Sequence, residues 1–263
     1  MDSNKKREKT DLIVLLLYPI IATLISFIIP TGVLGSIVIF FGVPSFYLSY
    51  RAREHIKKSL IFSIILGIPF TIVIDYIANV TRAWIVPVSM FSYRFLGHIA
   101  LEMFLWAILY SYFIIMFYEH FLDKSVSKKY YTKNTRYLVI LMLVLVGIFF
   151  LFLIAKPTIL HIPYSYLVMG IVFGAIPLVA VVLKFPRLIS KFLKTGAYFF
   201  FLALTYEITA LKAGWWDFPT EGEFIGWISF LGIRFPFEEL LVWIMLTAIA
   251  VLAYYEYFDD DKK

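Results

Sequence analysis

The chain has 263 residues, of which 62% are hydrophobic and 16% are charged, and its formal net charge is +6. Soluble globular chains are about 45–50% apolar and about 25% charged, so this composition excludes an ordinary soluble enzyme, a disordered chain and a nucleic-acid-binding protein. The chain contains no cysteine, which excludes disulfides, thiolate metal sites, iron–sulfur clusters and a cysteine nucleophile.

A helix that crosses a membrane needs about 20 mostly apolar residues, and eight stretches of the chain meet this requirement. In chain order they are residues 12–29, 33–50, 59–79, 95–118, 137–155, 163–183, 195–213 and 236–257. We therefore predict an all-α integral membrane protein with about eight transmembrane helices. A basic segment precedes the first stretch, as in a signal peptide, but no small-residue cleavage site follows it, so we predict an uncleaved span.

The basic residues predict which way the helices run. With eight spans both termini lie on one side, which then holds 19 of the 24 Lys and Arg residues. Because basic loops stay in the cytoplasm, we predict a multi-pass protein of the cell membrane with both termini cytoplasmic. Basic residues recur every three to four positions in 184–194, which indicates a short helix in the headgroup layer or a topology signal only.

The two halves of the sequence share a pattern of acid, tryptophan and proline. The residues Asp75, Trp84 and Pro87 correspond, 132 positions later, to Glu207, Trp216 and Pro219. A Phe-Leu-Gly triplet recurs at 95–97 and 230–232. We predict two domains, residues 1–125 and 126–263, as two parallel four-helix repeats. Parallel repeats imply a pseudo-twofold axis along the membrane normal and a site between the two bundles.

Five acidic residues lie in the outer thirds of the predicted spans: Asp75, Glu102, Glu207, Glu238 and Glu239. A charge in hydrocarbon is costly, so such residues usually mark function, but interfacial anchoring or helix capping would also explain acids in the outer third of a span. Glu238 and Glu239 open the last span, where acids suit the helix dipole. Neighbours on a helix point about 100° apart, so one can face a site while the other holds the scaffold.

Each glutamate that opens a span has a basic residue four positions before it. His98 precedes Glu102, and Arg234 precedes Glu238. If these pairs are helical neighbours, Arg234 keeps Glu238 ionised, whereas a neutral His98 leaves Glu102 free to hold a proton. We therefore expect Glu102 to be the better proton donor and Glu238 the better anion, with two surface ion pairs as the alternative.

Four tryptophans near the acids are candidate binding residues: Trp84 and Trp216 in the outer loops, and Trp106 and Trp243 in the spans. Tryptophan gathers at membrane interfaces because it is amphipathic, but aromatic faces beside buried acids also stabilise carbocations. The four histidines are scattered, and neither a HExxH motif nor a glycine-rich nucleotide loop occurs. We predict no metal and no cofactor.

Several motifs resemble those of a known family. The segments Trp215-Trp216-Asp217-Phe218, Phe230-Leu231-Gly232 and Pro236-Phe237-Glu238-Glu239-Leu240-Leu241 are similar to the lycopene cyclase domain of the integral-membrane type, which occurs as two small subunits or as one fused chain. Gly67-Ile68-Pro69 through Asp75 and Trp84 resembles the first domain of fused members. The first copy has Ala100-Leu101-Glu102-Met103 in place of the Pro-x-Glu-Glu motif, so the chain resembles a divergent member.

This resemblance implies an intramolecular lyase, or isomerase, that cyclises an acyclic carotenoid end group of the lycopene type. A carboxylic acid protonates a terminal double bond, a second double bond closes the ring, and a base removes a proton. The residues implied as catalytic are Glu238 and Glu239 first, then Glu102, Asp75 and Glu207, with the four tryptophans stabilising the cation and His98 and Arg234 modulating the acids. The expected partners are the lipid bilayer and an isoprenoid substrate, with a homo-oligomer left open and no nucleic acid.

Two other functions remain open at the level of sequence. Acids between two parallel repeats also suit a proton-coupled carrier of a small amphiphile. Against this, Pro69 and Pro177 do not correspond under the repeat, so Pro and Gly do not break the helices at matched points. The third function is a non-catalytic carotenoid-binding membrane protein, which the degenerate first copy would fit.

Overall fold

In the computed structural model, which describes residues 2–123 and 133–258, most of the chain is helical. Seven of the described helices are long and apolar enough to cross a membrane. They are α1 (Lys5–Ile28), α2 (Val33–Arg51), α3 (Arg53–Val80), α4 (Glu102–Asp123), α5 (Lys133–Ala155), α6 (Ser165–Lys184) and α7 (Pro186–Ala213). The prediction of an all-α membrane protein is confirmed at this level.

The outer faces of these helices carry large apolar side chains that no other residue covers. On α5, for example, Leu143, Leu151 and Ile154 stay 67%, 62% and 82% exposed after folding. Leaving so much apolar surface in water would forfeit roughly 25 cal/mol per Å² of that surface, and soluble monomers rarely expose such large patches. Lipid tails remove this cost, so these faces suit a bilayer.

The predicted eighth span is helical, but it is interrupted. A π-helical segment over Glu239–Ile244 is followed by two turn residues and then by α8 (Thr247–Phe258). The amide of Met245 donates to the carbonyl of Leu240, five residues back, so the α-helical register is lost here. By length and composition, the described residues therefore provide seven helices that could cross a membrane, and the count of eight stays a prediction.

Two short β-hairpins precede the fourth and eighth spans. The first covers residues 94–100, so the predicted start of the fourth span at residue 95 is wrong, whereas the second ends at Pro236, where the eighth span was predicted to begin. Strand β1 (Arg94–Phe95) pairs with β2 (Ile99–Ala100), and β3 (Trp227–Phe230) pairs with β4 (Ile233–Pro236), both antiparallel. Each turn contains a Leu-Gly pair with positive φ, at 96–97 and 231–232. Glycine accepts this conformation without steric cost, and it turns the chain back before the helix begins.

The short headgroup-layer helix proposed for residues 184–194 is wrong. A 3₁₀ turn over Pro186–Leu188 leads directly into one continuous helix, Ile189–Ala213. Lys191 lies in the first turns of that helix and pairs with Asp123 at the end of α4, with 2.5 Å between Nζ and Oδ1. The predicted domain boundary at 125/126 lies outside the described residues.

Backbone irregularities recur at matching positions along the chain. Helix α3 is followed by Arg82 with φ of +56°, and α7 is followed by Gly214 with φ of +68°, 132 residues later. Helix α2 contains a π segment at Val38–Gly42, and α6 contains one at Gly170–Ala175, also offset by 132. Backbone geometry thus repeats with the offset found for the acids and tryptophans.

The same two helices carry a further matched feature that the sequence analysis overlooked. Pro44 follows the π segment of α2, and Pro177 follows that of α6, 133 residues later. Proline cannot donate the backbone hydrogen bond of a regular helix, so both helices are altered at corresponding depths. The comparison of Pro69 with Pro177 missed this match, and both helices continue past their proline.

Helices α3 and α4 approach closely where Gly67 faces α4. A Cβ atom built on Gly67 would lie 3.2 Å from the carbonyl carbon of Ala107 and 3.2 Å from the amide of Ile108. Small residues allow such close contact between membrane helices. Gly67 and Ala107 also line the cavity between the helices.

A buried polar cluster ties three helices together at the end of the bundle opposite the hairpins. The carboxylate of Asp11 on α1 accepts a hydrogen bond from Tyr47 (2.6 Å), contacts Arg51 through two nitrogens (3.0 and 2.7 Å), and lies 3.0 Å from Nε2 of His120. Asp11 is fully buried. Every polar contact of this carboxylate therefore joins α1 to α2 or α4.

We expect Asp11→Asn to destabilise the fold by about 3 kcal/mol, because it removes the anion from a buried charge pair and leaves Arg51 uncompensated. Thermal unfolding of the purified protein in detergent measures this effect. The matched control is Glu221→Gln, which breaks an exposed pair with Arg234 and should cost less than about 1 kcal/mol. Equal effects of the two substitutions would contradict a stabilising role for the cluster.

Candidate functional site

A cavity of about 150 Å³ lies between the helices in the half of the bundle nearer the hairpins. Three of the five predicted acids line it: Asp75 from the end of α3, Glu207 from the last turns of α7, and Glu239 from the start of the final helical segment. An engineered apolar cavity of similar volume holds benzene. The space therefore suits a ring-sized group.

Glu207 and Glu239 form one hydrogen-bonded group on one side of the cavity. Their carboxyl groups are hydrogen bonded to each other. Oε1 of Glu207 accepts from the indole of Trp216 at 3.0 Å, and Oε2 of Glu239 accepts from the hydroxyl of Tyr166. A hydrogen bond between two carboxyl groups needs a proton on one of them, so this group can hold a proton and a negative charge together.

Asp75 stands apart from this pair. It ends a π-helical segment, Thr71–Asp75, in which the backbone departs from α-helical register, a distortion that is frequent at functional sites. Within the part of the chain that the structure describes, its carboxyl group makes no hydrogen bond, and it borders the cavity. The cavity thus holds one isolated carboxyl and one hydrogen-bonded pair.

Aromatic rings form much of the cavity wall. All four predicted tryptophans, Trp84, Trp216, Trp106 and Trp243, line it. Trp84 and Trp216, which correspond under the 132-residue offset, lie with ring centroids 6.2 Å apart. The π faces of such rings attract positive charge, so the wall suits a cationic species next to the carboxyl groups.

A backbone bridge joins the two loops that carry Trp84 and Trp216. Ile85 and Asp217 exchange two hydrogen bonds, each 3.0 Å between amide nitrogen and carbonyl oxygen. These residues are also 132 positions apart, and each directly follows one tryptophan of the Trp84–Trp216 pair. The bridge and the two indoles together form a roof over the cavity.

Glu102 and Glu238 do not line the cavity, although both were predicted as catalytic. Glu102 accepts hydrogen bonds from the hydroxyl of Ser89 (2.9 and 2.8 Å) and the amide of Met90 (2.6 Å). Glu238 accepts from the amide of Ile225 at 2.5 Å. Both carboxylates are turned toward the loop before their helix, so the structure gives them a role in holding the loops.

The difference between Glu238 and Glu239 follows from helix geometry. Both residues are buried, at 0% and 7% exposure, but adjacent side chains on a helix point about 100° apart. Glu239 faces the cavity and Glu238 faces the loop. The sequence analysis left open which of the two would face a site, and the packing of the final helical segment decides it.

The predicted pairing of basic residues with Glu102 and Glu238 is wrong. His98 lies in the first hairpin and Arg234 in strand β4, so neither is on the same helix as its glutamate. The ring of His98 packs against Tyr76 with centroids 5.1 Å apart. Arg234 pairs with Glu221 and lies 4.4 Å above the ring of Trp227. Neither basic residue lines the cavity.

The sequence analysis missed several polar residues. Tyr166 and Tyr110 line the cavity, but nothing distinguishes them in a chain with 18 tyrosines. Asp11 and Glu119 are buried acids at the opposite end of the bundle. They fell one residue outside the predicted spans, and longer spans would have included them.

Within residues 2–123 and 133–258, no group of three or more His, Asp or Glu side chains is arranged to hold a metal ion. No protein-family model, curated protein or solved structure matches the chain. The cavity and the sequence motifs are therefore the features of the chain that bear on its function.

We expect Glu102→Ala and Glu238→Ala each to destabilise the protein by about 1–3 kcal/mol, because each leaves a partly buried loop amide without an acceptor. Thermal unfolding in detergent and limited proteolysis of the loops measure this. Glu223→Ala, which removes an acceptor for the exposed amide of Tyr164, is the control. Wild-type stability of both variants together with lost activity would instead indicate a direct chemical role.

Proposed function

We propose that this protein is a membrane isomerase that cyclises the acyclic end of an isoprenoid, as the resembling lycopene cyclases do with carotenoids. One observation carries the proposal: three carboxyl groups converge on a ring-sized, aromatic-walled cavity inside a membrane helix bundle. Such a cavity supplies an acid, a base and cation-stabilising faces in one water-poor space. A long apolar substrate reaches it from the bilayer.

Asp75 is the proton donor in this proposal. It gives its proton to a terminal double bond, which creates a tertiary carbocation. A second double bond attacks the cation and closes a six-membered ring, which moves the positive charge to a ring carbon. The pair Glu207–Glu239 then removes a proton and leaves the ring alkene. One proton is added and one removed, so the reaction is redox neutral, and the proton returns to Asp75 before the next cycle.

The roles of the acids follow from their surroundings. Within the described residues no group donates a hydrogen bond to the carboxyl of Asp75, whereas Trp216 and Tyr166 donate to Glu207 and Glu239. Donors held in place in a dry site stabilise developing negative charge strongly. The hydrogen-bonded pair therefore suits the accepting role, and the isolated carboxyl suits the donating role.

The matched backbone features support two parallel repeats of four helices, with the cavity on a pseudo-twofold axis between them. Asp75 and Glu207 are related by the offset of 132, but Glu239 corresponds to Met103 at an offset of 136. Asp75 and Glu207 are therefore a matched pair of acids, whereas Glu239 has no acidic counterpart in the first half. The distribution of basic residues supports an eight-span topology with cytoplasmic termini.

We expect cells that accumulate lycopene to form cyclised pigment when they express the wild-type chain. Asp75→Asn and Glu239→Gln should each lower the yield by about 100-fold or more, the usual contribution of general acid–base catalysis. Chromatography of extracted pigments measures this, and Glu221→Gln is the surface control. Unchanged lycopene beside correctly folded wild-type protein would remove lycopene from the candidate substrates, and full activity of Asp75→Asn would contradict the assigned donor.

A proton-coupled carrier of a small amphiphile is the second candidate. The observation that favours it is the matched pair of π segments followed by Pro44 and Pro177, because discontinuous helices in corresponding halves are typical of transporters. A carrier must open the cavity toward each side in turn. The roof formed by the Ile85–Asp217 bridge would then have to separate in every cycle.

A disulfide across the roof distinguishes the two functions. Residues that exchange two hydrogen bonds have Cα atoms about 5.5 Å apart, within the range for a disulfide, and the chain has no other cysteine. We expect oxidised Ile85→Cys/Asp217→Cys protein to keep its cyclase activity, because the substrate enters from the lipid. The single-cysteine variants and the reduced double variant are controls. Reconstituted uptake that oxidation stops and reduction restores would favour the carrier.

A carotenoid-binding protein without catalysis would use the same cavity. It would retain pigment through purification and return it chemically unchanged. The pigment analysis therefore separates this function from the cyclase by the product rather than by binding.

A further inference from the structure

The two carboxyl groups of the Glu207–Glu239 pair differ in the outside donor that each one meets. Glu207 accepts from the indole nitrogen of Trp216 at 3.0 Å, whereas Glu239 accepts from the hydroxyl of Tyr166. Within the described residues, each carboxyl has one such donor in addition to the hydrogen bond that joins the pair. The nature of the two outside donors therefore decides which carboxyl carries the negative charge.

A phenol hydroxyl favours an ionised acceptor more strongly than an indole N–H does, because hydroxyl donors form the shortest and strongest bonds to ionised oxygens. The distance of 3.0 Å between Trp216 and Glu207 is usual for a neutral N–H···O bond. Bonds from nitrogen to an ionised oxygen are shorter, at about 2.7–2.9 Å. Both comparisons place the charge on Glu239 and the proton on Glu207, which donates it to Glu239.

The hydroxyl of Tyr166 is held in place by packing at the start of α6. The preceding residue, Ser165, shares a hydrogen bond of 2.8 Å with the hydroxyl of Thr81, just after α3. The ring of Tyr166 packs against Trp243 with centroids 4.9 Å apart, and its side chain is only 6% exposed. The donor therefore meets Glu239 in a fixed orientation.

The internal repeat agrees with this distribution of charge. Glu207 corresponds to Asp75, which is protonated at rest in the proposed function, whereas Glu239 corresponds to Met103. A proton on Glu207 makes the two matched acids alike, since both are then neutral. The negative charge of the cavity wall belongs to the acid that the second half alone possesses.

We infer that Glu207 holds the proton of the pair, that Glu239 is its anion, and that Tyr166 is the positioning residue that fixes this arrangement. The catalytic consequence rests on the proposed function. There Glu239 alone takes the proton from the ring cation, and the electrons of the broken C–H bond form the ring alkene. Glu239 becomes neutral as Asp75 has become an anion, so the total charge of the site is unchanged when the proton returns to Asp75.

Infrared absorption locates the proton without any substrate, because a protonated carboxyl has a C=O stretching band that an ionised one lacks. The samples are the purified full-length protein in detergent and its variants, each checked for folding by thermal unfolding. In difference spectra against the wild type, Glu207→Gln should lose one protonated-carboxyl band. Glu239→Gln should keep that band at a shifted frequency, because the new amide oxygen still accepts from Glu207.

The Tyr166→Phe variant tests the positioning role. It should shift the band of Glu207 and, with an accepted substrate, lower kcat about tenfold at unchanged KM, because the anion loses a charge-assisted hydrogen bond. The matched control is Tyr198→Phe. Tyr198 is a buried tyrosine of α7 whose hydroxyl donates to the carbonyl of Leu15 at 3.2 Å, and it does not line the cavity. Its variant should leave both the spectrum and kcat unchanged.

The two glutamine variants should also differ in activity. A glutamine at 207 keeps one donor and one acceptor, as a protonated glutamate does, so Glu207→Gln should cost less than about tenfold in turnover. Glu239→Gln removes the base and should cost about 100-fold or more. Equal losses in the two variants would contradict the assignment of the base to Glu239.

The infrared outcomes are independent of the proposed function. Loss of the band in Glu239→Gln, or its retention in Glu207→Gln, would overturn the assignment of the proton. A spectrum of Tyr166→Phe identical to that of the wild type would overturn the positioning role, and this test remains if a glutamine variant does not fold. The expected spectra without any cyclised product would support the charge assignment and contradict the cyclase.

Discussion

The pair of backbone hydrogen bonds between Ile85 and Asp217 is the contact on which the site depends. It joins the loop after α3 to the loop after α7 and brings Trp84 onto Trp216. The ends of α3 and α7 are thereby held side by side, which places Asp75 and Glu207 around one cavity. An antiparallel bridge between two corresponding residues is itself twofold symmetric, so it suits a pseudo-twofold axis at this point.

The loops that make this bridge carry polar backbone groups, which must be satisfied near the hydrocarbon of a bilayer. Glu102 and Glu238 supply part of that satisfaction, because each accepts from a loop amide about a dozen residues earlier. Glu102 and Glu238, which were predicted to be catalytic, thus stabilise the loops that carry the roof. The proposed chemistry is assigned to Asp75, Glu207 and Glu239 because these three acids line the cavity.

The cavity combines carboxyl groups with an aromatic wall, inside a bundle whose outer faces are apolar. Fixed carboxyl groups and aromatic faces suit a short-lived cation in a dry space. The proposed substrate, which dissolves in the bilayer and reacts through a cation, matches both features.

The sequence by itself determined the membrane class, most span positions, the correspondence of Asp75 with Glu207 and of Trp84 with Trp216, and the absence of cysteine chemistry, because composition and spacing carry this information directly. Only the tertiary structure decided that Glu239 faces the cavity while Glu238 faces a loop, that Arg234 pairs with Glu221, and that Tyr166 and Tyr110 belong to the site. These outcomes depend on where hairpins replace helix and on how helices rotate against one another. A one-residue step turns a side chain by about 100°, and such a rotation is set by packing between residues far apart in the chain.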